Sequence, residues 1–290
     1  DGTEQPAQTL WVDNVQVVQA GEVTVRPTPP PPPPPVVPAT DPPVSGPVPK
    51  LLPAVKDVHP RLLFSPADLS RMKEFYASEE GRFFRERIER YVVACNPPQD
   101  AGWKSNDTDA QRQGLWKTPT AALHYLMTGD RRSLEKTVGY LKAFLAQDDW
   151  QTGKERNSGM GAANILAGAA LGFDMVYSDL DPQFRDEFRK KLFQMAREMY
   201  YRGHLQKNPG SVGYWQADPQ NNHRWHRDAG LTLAVLASYS GAPEEDWLLT
   251  KTLEELQFVA KWLPEEGSSH ESGSYLIFGI GHLIGANLAG

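Results

Sequence analysis

The sequence predicts an all-α protein of helical hairpins, preceded by a proline-rich linker and one strand. Three stretches each combine an apolar helix rich in small residues, a tight polar turn at Gly129, Ser178 or Gly241, and an amphipathic helix. Such internal similarity indicates a repeat architecture. In addition, 13 of the 25 prolines lie between Pro27 and Pro49, so the proline bias belongs to one segment and not to a disordered chain.

Residues 1–26 contain one predicted strand, over residues 10–18, where β-branched residues alternate roughly with others. A single strand cannot pair its own backbone groups and needs partners. The wording Trp-Val-Asp-Asn-Val-Gln-Val at residues 11–17 resembles the last strand of a jelly-roll carbohydrate-binding module. We therefore expect residues 1–26 to be the end of such a β-sandwich module, most of which lies upstream.

Residues 27–53 are predicted to be a linker that is extended and unpacked. Seven consecutive prolines, Pro29 to Pro35, restrict the chain to polyproline II. At ~3.1 Å per residue, about 23 such residues span about 70 Å. Spacers of this kind are typical of extracellular enzymes that act on polymers, so we expect a secreted or periplasmic protein. A ligand for an SH3-type domain is the alternative.

Residues 54–290 are predicted to be almost entirely helical. Ser65 as N-cap, Pro66 at the first helical position and Asp68 at the third mark a helix start. Apolar spacing then predicts the helices 68–76, 83–93, 163–177, 184–199, 229–239, 247–262 and 276–288, together with a helical stretch over 121–130 that ends in its turn and is followed by an amphipathic run to Leu145.

Helices that are apolar on nearly every side are expected to form an inner layer, and amphipathic helices an outer layer. Curled into a ring, such hairpins form an α/α toroid with a groove at one end. A straight solenoid is the main alternative. The last helix carries no cap or polar tail, so we expect the toroid to be incomplete at the C-terminus.

Composition excludes several classes of function. The net charge of −6, from 30 Lys and Arg against 36 Asp and Glu, argues against nucleic acid as the main partner. No apolar run reaches 18 residues, so no membrane span is predicted. The lone Cys95 excludes an internal disulfide framework and a cysteine-based zinc site. His223 and His226 could ligate zinc from one helix face, but a third ligand is not evident, and we expect no metal or other cofactor.

Two polar constellations are candidates for a site. Residues 221–228, which contain Asn222, His223, Arg224, His226 and Arg227, lie just before a predicted inner helix. Residues 265–275, which contain His270, Glu271 and Tyr275, lie just before the next inner helix, at the same end of a toroid. A helix cap and a surface turn are the structural alternatives.

Further basic and aromatic residues suit a sugar groove, because arginine pairs with carboxylate or sulfate and aromatic faces stack on sugar rings. Arg156 and Asn157 follow Trp150, and Tyr214 and Trp215 precede the first constellation. The residues predicted to bind substrate are therefore His226, Arg224, Arg227, Trp215, Tyr214, Arg156, Asn157, His270 and Glu271.

The segment His-Pro-Arg-Leu-Leu-Phe-Ser-Pro-Ala-Asp-Leu, residues 59–69, is similar to the entry segment of the heparinase II/III-like polysaccharide lyases. This superfamily includes heparinases, alginate and oligoalginate lyases, and dermatan-sulfate epimerase. The pair Asn222-His223 resembles its Asn-His motif, and Tyr275 stands where the family keeps its catalytic tyrosine. The resemblance covers roughly residues 57–290 and implies a toroid followed by a β-sandwich domain.

The sequence also departs from the family pattern. The family adds a histidine or tyrosine from beyond the first hairpins or from the β-sandwich, which residues after Gly290 would supply. Three positions after the motif histidine, heparin-active members often have an acid, whereas this chain has His226. The resemblance therefore implies a uronate-containing substrate, either alginate-like or glycosaminoglycan-like, without selecting one polymer.

The chemistry of a lyase needs these residue types. Such an enzyme removes the C5 proton of a uronate and expels the C4 oxygen. Asn222 and His223 can hydrogen-bond the carboxylate and stabilise the enolate-like charge. Tyr275 can protonate the leaving oxygen and in some geometries can first take the C5 proton, which requires positive charge nearby to lower a pKa that is ordinarily ~10. In the anti geometry a histidine is the base.

Three other functions remain open. An inverting glycoside hydrolase needs two carboxylates about 6.5–9.5 Å apart; Glu265, Glu266, Glu271 and Asp149 are available, but Asn222, His223 and Tyr275 would then lack roles. A uronate C5-epimerase shares the proton abstraction, and a non-catalytic glycan-binding fragment needs no chemistry. A lyase predicts that Asn222, His223 and Tyr275 converge on one groove.

Overall fold

Helices dominate the part of the chain that the structure describes. The computed structural model describes residues 37–97, 111–150, 159–204, 219–266 and 273–290. In these ranges the protein is 72% helical, with nine α-helices and no strand. The prediction of a helix-rich protein is confirmed, whereas the strand expected at residues 10–18 lies outside the described residues.

The predicted helices are present, with shifted boundaries. They are α1 (Leu69–Ala77), α2 (Arg82–Val93), α3 (Thr118–Thr128), α4 (Arg131–Leu145), α5 (Met160–Val176), α6 (Pro182–Met199), α7 (Asn222–Ser238), α8 (Asp246–Trp262) and α9 (Gly273–Ala289). A π-helical segment, Gln111–Lys117, leads directly into α3, and another, Tyr200–His204, continues α6. The largest shift is at α7, which begins seven residues earlier than apolar periodicity indicates.

Local sequence signals explain where the helices begin and turn. Ser65 donates its backbone N–H and its hydroxyl to Oδ2 of Asp68, at 3.0 and 2.9 Å, and so caps the short 3-10 turn before α1. Gly129 and Gly241 have φ values of 74° and 86°, the left-handed region that glycine reaches without strain. The Oδ1 atom of Asp181 accepts from two backbone N–H groups at the start of α6.

The helices α5, α7 and α9 are neighbours that run parallel. A Cβ atom on Gly230 of α7 would lie 2.5 Å from the carbonyl oxygen of Ala163 in α5, so the two backbones are in close contact. One turn earlier on both helices, Gly159 lies against Arg227. Residue numbers therefore increase in the same direction along both helices, which means that the axes of α5 and α7 are parallel.

The order of contacts also shows the direction of the π-helical segment, α3 and α9 relative to their neighbouring helices. Close approaches of Gly114 to Asn164 and of Thr118 to Gly172 make the π-helical segment and α3 parallel to α5. The contacts between α9 and α7 advance in the same way, from Gly279 against Asn222 to His282 against His226. The inner helices are α3, α5, α7 and α9. Of these, α5, α7 and α9 begin at one end of the molecule together with the π-helical segment before α3, whereas α3 itself begins beside Gly172, near the far end of α5.

The other helices form a second layer. Helices α5 and α7 are buried at 16 of 17 positions each, whereas α4, α6 and α8 bury one face and expose the other. These elements thus show the predicted difference between helices that are buried on nearly every side and amphipathic helices, and their arrangement in a toroid stays a prediction. An apolar cavity of about 280 Å3 lies among the inner helices and is lined by Leu63, Leu115, Ala167, Leu171, Ala229, Leu233, Gly281, His282 and Gly285.

The entry segment connects the far ends of α5 and α7. Asp174 in the last turn of α5 is 2% exposed and accepts hydrogen bonds from Nδ1 of His59 at 2.6 Å and from the backbone N–H groups of Arg61 and Leu62. The guanidinium of Arg61 donates to the carbonyl oxygens of Leu236, Ala237 and Tyr239 at the end of α7. These carbonyls have no partner within the helix, and a cation is favourable at a helix C-terminus.

The second half of the predicted linker is packed, which corrects the expectation of an unpacked spacer. Val37, Val44 and Leu51 lie against the hydrophobic core. The carboxylate of Asp41 is 7% exposed and accepts from Nε of Arg197 at 2.8 Å and from the hydroxyl of Tyr201 at 2.6 Å. Proline content alone indicates an extended backbone but not this ion pair with α6. The prolines Pro29 to Pro35 lie outside the described residues.

Residues Met160–Asp179, which are α5 and the turn after it, are long and apolar enough to span a membrane. However, 89% of this stretch is buried inside the protein, and α5 contacts α3, α4, α6 and α7. Its apolar composition is therefore explained by its position as a core helix.

We expect the change Asp174→Asn to lower the free energy of unfolding by about 1.5–3 kcal/mol, because a buried carboxylate that accepts from several donors is replaced by an amide that must itself donate. Urea denaturation measures the change. The control Asp186→Asn alters an exposed acid of α6 whose ion pair with Lys190 lies in solvent, and a change within about 0.5 kcal/mol is expected there. Equal effects of the two substitutions would contradict the assigned role of Asp174.

Candidate functional site

Asn222 and His223 lie in the first turn of α7, at the end of the molecule where α5, α7 and α9 begin. Asn221 is the N-cap, and its Oδ1 accepts from the backbone N–H of His223 at 2.9 Å. The constellation 221–228 was expected before the helix, but it forms the first two turns. Its side chains consequently radiate around the helix axis and do not share one surface.

His223 is the member of this constellation that reaches solvent. Within α7, all of whose residues are described, it is the only residue that is not buried. Asn222 is 2% exposed and faces α9, where Gly279 approaches so closely that an added Cβ would lie 3.0 Å from the Asn222 Cβ. In this pair, the amide side chain of Asn222 is packed against α9, whereas the imidazole of His223 reaches solvent.

His226 lies one turn deeper than Asn222. It is 1% exposed, and its Nδ1 donates to the Asn222 carbonyl oxygen at 2.8 Å. Its ring lies against that of His282 in α9, with centroids 3.9 Å apart and planes at 37°. Burial, and then the neighbouring His282 and His223, lower the pKa of His226 to about 3. His226 is therefore buried and neutral in the described structure, and its contact with substrate stays a prediction.

His282 was missed by the sequence analysis because it stands in an apolar, glycine-rich stretch without other polar signals. Burial lowers its pKa to about 4, so this ring is also neutral at physiological pH. The signal that could have found it is its spacing from Tyr275. Residues 275, 279 and 282 stand at i, i+4 and i+7 and so share one face of a helix.

Arg224 points away from Asn222, toward the outer helix α8. Its Nη2 donates to Oε2 of Glu255, its Nε lies 3.6 Å from Oδ2 of Asp228, and its guanidinium carbon lies 4.6 Å from the centre of the Phe258 ring. The side chain is 4% exposed. The guanidinium of Arg224 therefore forms an ion pair between α7 and α8, and its contact with substrate stays a prediction.

Arg227 is also buried, on a third side of α7. Its Nη2 donates to the carbonyl oxygen of Met199 at the end of α6, at 2.9 Å. Gly159, which has a φ of 76°, leaves room for the guanidinium at the start of α5. Burial lowers the pKa of Arg227 to about 9, above physiological pH, so the charge persists. Its contact with substrate likewise stays a prediction, and in the described structure the side chain packs between α7, α6 and the start of α5.

Tyr275 lies in the first turn of α9 and is 54% exposed. It lies one turn before Gly279 on the face of α9 that meets α7, so its Cα is about 6 Å further toward the end of the molecule where α7 begins. Since Gly279 is level with Asn222, Tyr275 lies about one turn beyond Asn222 in that direction, and its ring is accessible to solvent. Convergence of Asn222, His223 and Tyr275 on one sugar ring stays a prediction.

The remaining predicted binding residues lie outside the described residues. They occupy the segments that lead in sequence into α5, α7 and α9, respectively, and are Arg156, Asn157, Tyr214, Trp215, His270 and Glu271. Within the ranges that the structure does describe, no cluster of three or more His, Cys, Asp or Glu side chains could hold a metal ion.

The electrostatics of this end favour negative charge. The first turns of α5, α7 and α9 all lie here, and each helix N-terminus carries a partial positive charge. A carboxylate at this position gains from these fields and from donors such as the His223 imidazole.

No protein-family model matches the chain.

We expect the change Gly279→Ala to separate α9 from α7, because the new Cβ would lie 2.7 Å from Cε3 of Trp225. Overpacking of this kind costs about 1–3 kcal/mol. The matched control is Gly281→Ala on the same helix, where nothing lies within 4 Å of the new Cβ, and better helix propensity there predicts equal or higher stability. Urea denaturation of both variants decides, and a Gly279→Ala chain as stable as the wild type would contradict the close contact.

Acidification should destabilise the protein through the two buried histidines. Their folded-state pKa values, about 3 and about 4, lie below the unfolded value of about 6.5, so the unfolded chain binds more protons as the pH falls below ~6.5. As the pH falls from about 6 to about 4, each histidine therefore lowers the free energy of unfolding by up to about 1.4 kcal/mol per pH unit.

Urea denaturation at pH 7, 6, 5 and 4 measures the free energy of unfolding of the wild type and of His282→Phe. The variant has lost one of the two histidines, so its stability should decline less steeply. Identical pH profiles for the two chains would show that His282 is not held neutral by burial.

Proposed function

We propose that this chain carries the catalytic domain of a polysaccharide lyase that cleaves a uronic-acid-containing polysaccharide by β-elimination. One observation carries the proposal: α7 and α9 are adjacent and parallel, and their first turns contain Asn222, His223 and Tyr275. Parallel neighbours begin at the same end, and packed helix axes lie ~8–10 Å apart. Side chains of this length can bridge that spacing onto one sugar ring.

Asn222 and His223 are the proposed donors to the uronate carboxylate. Removal of the C5 proton spreads negative charge onto this carboxylate, and donors that are already oriented stabilise that charge most effectively. The close packing of Gly279 against Asn222 and the cap from Asn221 restrict this first turn. The helix N-terminus adds a favourable field for the same charge.

Tyr275 is the proposed acid for the C4 oxygen and, in a syn geometry, also the base for the C5 proton. Its exposure permits contact with a polymer. As a base it needs positive charge nearby. The guanidinium of Arg224 is committed to Glu255 and Asp228, which leaves His223 as the better candidate within the described part of α7.

The toroid belongs to the proposal. Residues from the π-helical segment before α3 and from α5, α7 and α9 all line one cavity. In a straight solenoid the first and fourth inner helices would stand far apart, so a shared cavity favours a curled arrangement. Such a curve would place the first turns of α5, α7 and α9 around one groove.

The described carboxylates support a hydrolase less well. Asp228 of α7 and Glu255 of α8, two described acids beside Arg224, are both paired with it. An inverting hydrolase needs one carboxylic acid and one free carboxylate across the scissile bond. A lyase gives Asn222, His223 and Tyr275 defined roles, which is why we favour it.

The test is incubation of the chain with unsulfated and sulfated polyuronates. A lyase releases products with a C4–C5 double bond conjugated to the carboxylate, which absorbs in the ultraviolet. New reducing ends without this absorbance would indicate a hydrolase. Inversion at C5 without cleavage would indicate an epimerase, and binding without reaction would indicate a glycan-binding fragment.

We expect Tyr275→Phe to lower turnover by about 10²–10⁴-fold with little change in binding, because it removes the proposed acid. Asn222→Ala should lower turnover by about 10²–10³-fold, as the loss of an oxyanion donor does. The control Tyr91→Phe alters a tyrosine of α2 that is 43% exposed and should retain full activity. Full activity in Tyr275→Phe would contradict the assignment.

A further inference from the structure

The contact between His226 and His282 joins the two halves of the proposed site. His226 belongs to α7, which carries Asn222 and His223, and His282 belongs to α9, which carries Tyr275. Their ring centroids are 3.9 Å apart. The relative position of Tyr275 and Asn222 therefore depends on how α9 is seated against α7, and this ring pair lies in that seam.

On the α7 side, the ring of His226 is oriented by the helix itself. The Nδ1–H group donates to the carbonyl oxygen of Asn222, four residues earlier. This bond assigns the neutral tautomer and fixes the ring plane relative to the first turn. A group that packs against this ring is thereby positioned relative to Asn222.

On the α9 side, the helix combines small residues with a few large aliphatic side chains. Glycines occupy positions 279, 281 and 285, and Ile277, Ile284 and Leu288 are exposed. Leu283 and Ala286 are buried in a small cluster with Trp225, Ala229, Leu256 and Val259 of α7 and α8, and Leu276 and Ile280 are partly buried against it. Small and aliphatic side chains permit sliding and rotation more readily than an aromatic ring does.

We propose that His282 is a positioning residue: by packing against the His226 ring at a tilt of 37° it sets the rotation and height of α9 and so places Tyr275 over Asn222 and His223. The effect of this placement on turnover rests on the proposed lyase function, whereas the placement of Tyr275 itself does not. Because a helix turns 100° per residue, a slip of one position would direct Tyr275 away from α7. A displacement of 1 Å at a reacting group can cost about 10²-fold in rate.

A plain core residue at position 282 would behave differently. If His282 only filled space, leucine would replace it with a loss of stability but no movement of Tyr275. If the aromatic contact sets the position, phenylalanine should replace histidine better than leucine does, since rings pack in offset or tilted pairs. The two substitutions therefore separate positioning from simple packing.

The experiment uses the whole chain with 3-fluorotyrosine incorporated only at position 275. In His282→Leu, the ¹⁹F resonance at 275 is expected to shift and broaden, and kcat to fall at least about tenfold while KM stays within about threefold. In His282→Phe, the resonance and kcat should remain near those of the wild type. The control Ile284→Ala changes an exposed residue of the same helix and should alter neither.

An unchanged ¹⁹F resonance in His282→Leu would overturn the proposal, and so would equal losses of kcat in His282→Leu and His282→Phe. If the wild type forms no unsaturated product, the lyase function fails, yet the fluorine signal still decides whether His282 positions Tyr275. Should His282→Leu not fold, His282→Gln removes the ring with a smaller loss of polarity and is expected to shift the same signal.

Discussion

Close parallel packing of α7 against its two inner neighbours is the constraint on which the rest of the structure depends. Gly230 brings α7 onto the backbone of α5, and Gly279 brings α9 onto the first turn of α7. At these separations every side chain of α7 except His223 is buried. Burial of polar groups is costly without partners, so the polar residues of the first two turns are distributed among the α5, α6, α8 and α9 neighbours.

The two ends of the inner helices have different tasks. At the far end, Asp174 and Arg61 connect the last turns of α5 and α7 to the entry segment through buried, charge-assisted hydrogen bonds. At the near end, the guanidinium groups of Arg224 and Arg227 are committed to Glu255 and to the Met199 carbonyl, respectively. The entry segment therefore belongs to the frame that holds the inner helices in register, and the proposed reactive groups Asn222, His223 and Tyr275 lie at the opposite end.

Local patterns predicted the hairpins and their turns well, because caps and glycine turns such as Ser65 and Gly129 act within a few residues. The start of α7 was missed because its first turns are polar and lack apolar periodicity. The directions of Arg224 and Arg227 follow from that start, since a helix rotates neighbouring side chains apart by 100°. The packed position of Asp41 depends on Arg197, more than 150 residues away, and no local pattern reports such a pair.

The most direct measurement is a crystal structure of the Tyr275→Phe chain with a bound unsulfated oligouronate. The account predicts one uronate carboxylate within hydrogen-bonding distance, about 2.7–3.2 Å, of the Asn222 amide and the His223 imidazole, with the position 275 ring beside the C4 oxygen. An oligouronate bound at the far end near Asp174, or one whose carboxylate lies away from Asn222 and His223, would contradict the account.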